Sequence, residues 1–149
     1  MKCVNSPSCQ SAGDALRELD TLNVIRSDPF ILISGDVISN VNLKDAIAFH
    51  KLKRKEDSNN VLTVVLKKVQ KVAGAKPILD DLTIAMNRNS SQIVLFENSF
   101  KKKDIKISLE LMQEHPAGLN FYTDLLDCNV DICSPELMMQ FSDNFDYQV

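Results

Sequence analysis

Phe30-Ile31-Leu32-Ile33-Ser34-Gly35-Asp36 is the stretch on which the fold turns. Four consecutive apolar residues without alternation suit a strand buried on both faces, as in a parallel sheet covered by helices. Working back from it, Asp28-Pro29 forbids a helix from running into the strand, because the residue before proline is pushed out of the helical region. Ahead of that stop, Ala15, Leu16, Leu19, Leu22 and Ile25 recur at helical spacing, with Ser11 or Asp14 available to satisfy the free amides at the start. Working forward, Asn42 with Asp45 three residues on reads as a capping box opening a second helix from Leu43 to about Glu56. Its apolar stripe is Leu43, Ala46, Ile47 and either His50 or Leu52. Asn59-Asn60 then turns the chain into a β-rich run, Val61 to Leu66. Helix, strand, helix, strand with short connections predicts an α/β fold: a three-layer mixed sheet flanked by helices.

The middle of the chain is less strongly patterned. Leu82 to Met86 and Gln92 to Phe96, separated by Asn87-Arg88-Asn89-Ser90-Ser91, predict a hairpin with a polar turn. Ile105, Ile107, Leu109 and Leu111 alternate and suggest one more strand between Lys101 and Asn120. Leu126, Val130 and Ile132 mark a further strand. It runs into Ser134-Pro135-Glu136, a helix start with a cap residue, a fixed φ at the first position and an acid in the first turn. Leu137, Met138 and Phe141 form the buried face of that helix. Residues 1–10 have no periodic pattern and are expected to be irregular, leaving 11–149 as the structured part.

Composition narrows the function. A chain of 149 residues is about one domain's worth, with 44% hydrophobic and 25% charged residues, as in an ordinary soluble protein. With a formal net charge of −3, no global attraction to nucleic acid or an anionic membrane is expected. The basic runs Lys51 to Lys55 and Lys101 to Lys103 read as a solvated helix face and a solvated loop. The apolar runs are far shorter than a membrane span. Cys3, Cys9, Cys128 and Cys133 have no histidine companions spaced for a metal, and reduced thiols of a cytosolic protein are the default.

Three places carry candidate chemistry. Gly35-Asp36 follows a strand end, where ligands gather in open α/β sheets. Asp36 could hold Mg²⁺ there, or Gly35 and Asp36 could simply form a turn. Gly13 lies in the small-residue entry to a helix, where free amides can receive an anion, although a lone glycine there is usually a loop residue. Finally, Asn144 and Phe145 lie in the closing run Asp143-Asn144-Phe145-Asp146-Tyr147-Gln148, which either tucks a ring onto the domain or presents it to a partner. His50 and His115 have no nucleophile or carboxylate placed beside them by sequence, so no catalytic set is expected.

The run Ser11 to Arg17, the block Phe30 to Asn40 and the closing Asp127-Cys128 to Tyr147-Gln148, in this order, resemble the epsilon subunits of eukaryotic translation initiation factor 2B. That family begins with a domain similar to sugar nucleotidyltransferases. The resemblance implies a nucleotidyltransferase-like, Rossmann-like domain lacking its first strand and Gly-rich loop, and hence a fragment, a truncated gene model or a short paralogue. It implies no catalysis and no cofactor. The implied role lies in the cytosolic guanine-nucleotide exchange factor for initiation factor 2. The implied partners are the gamma and other subunits of the same complex and the GTPase itself, without nucleic acid or membrane. Asn144 and Phe145 match the family's exchange motif, while Gly13, Gly35 and Asp36 match a vestigial nucleotide or metal site. The alternative is a sugar-phosphate nucleotidyltransferase acting with Mg²⁺.

Overall fold

A computed structural model describes residues 3–7, 9–69, 82–98 and 104–143. They form a mixed α/β structure whose elements run α1 (Ala12–Thr21), β1 (Phe30–Ile33), α2 (Lys44–Glu56), β2 (Leu62–Lys68), β3 (Leu82–Asn87), β4 (Ile93–Asn98), α3 (Leu109–Glu114), β5 (Leu119–Tyr122), β6 (Leu125–Cys133) and α4 (Glu136–Asp143). The chain divides into two units, residues 1–65 with 129–149, and residues 66–128. No helix among the described residues is long and apolar enough to cross a membrane.

In the first unit the sheet order is β1-β6-β2. β1 pairs antiparallel with β6 in the register Phe30↔Cys133, Ile31↔Ile132, Leu32↔Asp131 and Ile33↔Val130. One face of this pair looks onto α1 and α4: Phe30 and Cys133 join Leu16, Leu137, Met138 and Phe141 in a buried cluster, with Ile25, Leu32 and Val61 packed against it. α1 begins with a capping box. The Ser11 hydroxyl accepts from the Asp14 amide and the Asp14 carboxylate accepts from the Ser11 amide, which satisfies two of the orphan donors of a helix start. α4 buries Leu137, Met138 and Phe141, the face its spacing predicts.

β1 is not the doubly covered strand its composition suggests. Of its four residues only Phe30 is buried, and Ile33 is 51% exposed. The strand closed on both faces is the neighbouring β6, where Ile132 and Cys133, which point to opposite sides, are each 0% exposed. Burial follows position in the sheet. β6 is the middle strand, whereas β1 lies at an edge among the described residues, so an unbroken apolar run there leaves every second side chain in water.

In the second unit the order is β4-β3-β5. β3 and β4 form the expected hairpin, with Leu82↔Asn98 at one end, Met86↔Ile93 at the other and a bulge between Ala85 and Met86. The turn is built on Asn87, whose side-chain oxygen accepts from the amides of Asn89 and Ser90, an Asx arrangement that substitutes for backbone pairing. The central strand β3 supplies the buried Leu82, Ile84 and Ala85 and also pairs antiparallel with β5.

Two local expectations are corrected. The alternation of Ile105, Ile107, Leu109 and Leu111 does not make a strand. Ser108 caps α3 by accepting from the Leu111 amide, and Leu-Glu-Leu-Met-Gln-Glu are strong helix formers, so cap and propensity prevail over a short alternating pattern. α2 has no capping box either: Leu43 occupies the cap position without a side-chain bond, and Asn42 accepts from the Lys44 amide instead. The expected single sheet also proves to be two three-stranded ones.

Edge and centre should differ sharply in energetic weight. Ile132→Ala is expected to lower stability by about 2–5 kcal/mol, whereas Ile33→Ala, largely in water already, should cost under about 1 kcal/mol. Urea titrations of the two variants followed by circular dichroism check the ordering.

Candidate functional site

The first candidate region surrounds the C-terminal end of α4. The helix is tied down from three directions. Glu136 in its first turn pairs with Arg54 at 2.6 Å. The Arg17 guanidinium donates to the Phe141 carbonyl at 3.1 Å, and the Ser142 hydroxyl donates to the Asp20 carboxylate at 2.9 Å. α1 therefore holds the last turn of α4 in place up to Asp143. Asn144 and Phe145 lie outside the described residues. The Glu136 carboxyl is held below its ordinary value, first by its own backbone amide and then by Arg54, so the Arg54 pair stays ionised.

The second candidate, the entry to α1, turns its donors inward. The amides of Gln10 and Ser11 both donate to the Asp14 carboxylate at 3.1 Å, and Arg17 donates to its other oxygen at 2.6 Å. The Arg17 hydrogen bond is the main reason the Asp14 carboxyl is lowered to about 2, with the Gln10 and Ser11 contacts following. The Asp14 carboxylate thus binds the two amides just ahead of α1 and pairs with Arg17. Gly13 is buried within this first turn.

The third candidate is a turn after β1. The Val37 amide donates to the Ser34 carbonyl at 3.2 Å, and Gly35 and Asp36 are exposed, with nothing within 4 Å of where a Gly35 Cβ would sit. No hydrogen bond joins Asp36 to Gly13 among the described residues. Nor is any group of three or more His, Cys, Asp or Glu side chains there arranged to hold a metal ion. A divalent cation demands several converging oxygens, and one solvated carboxylate does not supply them.

The most ordered polar cluster is one the sequence does not announce. His50, beside which the sequence places no nucleophile or carboxylate, is 1% exposed. Its Nδ1 lies 2.9 Å from the Thr63 hydroxyl and its Nε2 2.9 Å from the Ser134 hydroxyl. Ser134 is itself fully buried, and its amide donates to the Val61 carbonyl at 2.9 Å. In the neutral imidazole one nitrogen donates and the other accepts, and two rotatable hydroxyls complete either tautomer. The local signals are His50 at helical spacing with Ala46 and Ile47, and a serine where a strand gives way to Pro135. The pairing across 84 residues has no signature along the chain.

This trio is structural. Burial, aided by Arg54 and opposed by Asp28, pushes the His50 pKa down from 6.5, and the Ser134 hydroxyl is engaged by His50 and fully buried, so Ser134 has no access to a substrate. Cys133 beside it is equally inert, its thiol pushed up to about 12 by burial and then by Asp131, since the thiolate is the reactive form. In the second unit His115 Nδ1 lies 3.1 Å from the Asn87 side-chain amide, a turn-fixing contact.

No family model matches the chain. Two relatives do. The chain is 46% identical over 145 residues to translation initiation factor eIF2B subunit epsilon of Dictyostelium discoideum, covering 97% of its own length. It is 37% identical over 139 residues to the subunit of the same name in Schizosaccharomyces pombe, covering 93% of its length. The chain spans 20% of each relative. These matches place it among translation initiation factor subunits. Within that class, it belongs with the epsilon subunit of eIF2B over the fifth it shares.

His50 generates a pH dependence with a definite sign. Its folded pKa is lowered, so the unfolded chain binds the proton more readily; the histidine's contribution is fully present above its ordinary value of 6.5 and is lost as the pH falls from there through the lowered folded value. His50→Leu is expected to cost about 1–3 kcal/mol at neutral pH, because the Thr63 and Ser134 hydroxyls lose their partner, and to flatten stability against pH in that window. Urea titrations across a pH series check both effects.

Proposed function

We propose that the chain acts as part of an epsilon subunit of initiation factor 2B, within the guanine-nucleotide exchange factor for initiation factor 2. The observation that carries this reading is the span of the two epsilon-subunit matches, 97% and 93% of the chain. Its role is assembly with the gamma and other subunits of that complex and contact with the GTPase, in the cytosol. The mixed α/β structure, with a turn carrying Gly35 and Asp36 at the end of β1, is compatible with a nucleotidyltransferase-like domain. In this reading Gly13, Gly35 and Asp36 are remnants of a nucleotide site. The domain works without a cofactor and does not transfer nucleotidyl groups; the exposed Asp36, with no converging carboxylates among the described residues, supports this.

Asn144 and Phe145 are the residues assigned to the GTPase. Their match to the family's exchange motif supports that assignment. Placed in the full-length subunit within the assembled complex, Asn144→Ala with Phe145→Ala is expected to slow GDP release from initiation factor 2 by roughly tenfold, the scale of losing one interfacial anchor. Circular dichroism and assembly should be unaltered. Unchanged exchange rates in a correctly assembled complex would reject the assignment. Pyrophosphate release on incubation with a nucleoside triphosphate and a hexose phosphate would instead favour a transferase.

A further inference from the structure

α2 has two unlike faces. Ala46, Ile47, His50, Lys53 and Arg54 are buried or half-buried and form the inner stripe, spaced as a core-facing helix requires. The opposite ridge, Ala48, Phe49, Lys51, Leu52 and Lys55, is exposed. Leu52, a candidate for the inner stripe by sequence, is 54% exposed, and Phe49 is 43% exposed. With Ala48 they stand at i, i+1 and i+4 of one ridge.

The charge on this helix is of one sign where it matters. From Ala46 to Lys55 there is no carboxylate, while Lys51, Lys53, Arg54 and Lys55 are all cationic. Lys53 is engaged by Glu56 at 2.7 Å and sits 5.8 Å from the Phe49 ring centroid, and Arg54 is engaged by Glu136. Lys51 and Lys55 form no ion pair with any described residue. An apolar ridge little more than one turn long is therefore bordered by two uncommitted ammonium groups, on a chain whose overall charge is −3.

We propose that this outer face of α2 is a docking surface for an acidic amphipathic segment of another protein, its apolar side chains over Phe49 and Leu52 and its carboxylates opposite Lys51 and Lys55. Charge complementarity sets the sign of the partner, and the exposed ridge sets its apolar half. A second copy of the chain is a poor occupant, because a two-fold contact would set these lysines against one another. RNA is also a poor fit: Leu52 and Ala48 offer nothing to phosphates, and one aromatic ring is no stacking platform. The patch is small, which suits a transient encounter. The inference does not depend on the exchange role and concerns different residues.

The test uses the full 149-residue chain, isotopically labelled, titrated with a synthetic helical peptide bearing Leu and Phe on one face and Glu on its flanks. Amide shift changes are expected to concentrate at residues 48–55 and to weaken as salt is raised. Lys51→Glu with Lys55→Glu should weaken binding roughly tenfold, as should Phe49→Ser in a separate variant. Both sets of side chains are exposed, so circular dichroism should be unchanged. The proposal is overturned if the peptide fails to bind or binds the charge-reversed variant equally well. It also fails if single-stranded RNA binds these residues more tightly than the peptide, or if sedimentation shows self-association that Leu52→Asp abolishes.

Discussion

One buried imidazole holds the first unit together. His50 reaches inward from α2 to the hydroxyl of Thr63 on β2 and to that of Ser134, where β6 passes into α4. Ser134 is bound on every side: its amide to Val61, its hydroxyl to His50, and its carbonyl to the amide of Leu137 in the first turn of α4. His50 and Ser134 lie out of reach of water and Thr63 is half-buried, and in the buried part an unpaired donor or acceptor costs more than a paired one gains. The arrangement is thus strongly specified. α2 can rotate or slide on the sheet only by abandoning the buried Ser134 hydroxyl and the half-buried Thr63 hydroxyl together.

The same point marks how far the chain can be read without coordinates. Elements that carry their own signals were legible: the Ser11–Asp14 start of α1, the Asn87 turn between β3 and β4, and the helix after Pro135 with its buried Leu137, Met138 and Phe141, although the Ser134 hydroxyl expected to cap it goes to His50 instead. What escaped was whatever depends on a neighbour far along the chain. Phe30 to Ile33 is apolar enough for a central strand, yet β6 occupies the centre; the edge position of β1 is a property of pairing. His50 looked partnerless because its partners are supplied by two other segments. Leu109 and Leu111 alternated with polar residues, but Ser108 was an adequate cap and the helix formed.

For the candidate sites the outcome is uneven for a similar reason. Backbone amides at the start of α1 and the carboxylate of Asp36 are chemically suited to phosphate and metal, and the sequence shows that suitability well. It does not show that Asp14 takes up the amides of Gln10 and Ser11 just ahead of the helix, or that Asp36 is exposed without converging carboxylates among the described residues. The two surfaces proposed to meet other proteins rest on different grounds: the residues after α4 on resemblance, the outer ridge of α2 on exposure and charge.

Arg17 has a consequence for how such a chain can diverge. Its guanidinium grips the Asp14 carboxylate with one arm and the Phe141 carbonyl with the other, a two-handed grasp that the single ammonium of lysine cannot reproduce in the same geometry. Drift at this site is therefore channelled. Loss of the arginine would release both the opening turn of one helix and the closing turn of another, 124 residues apart.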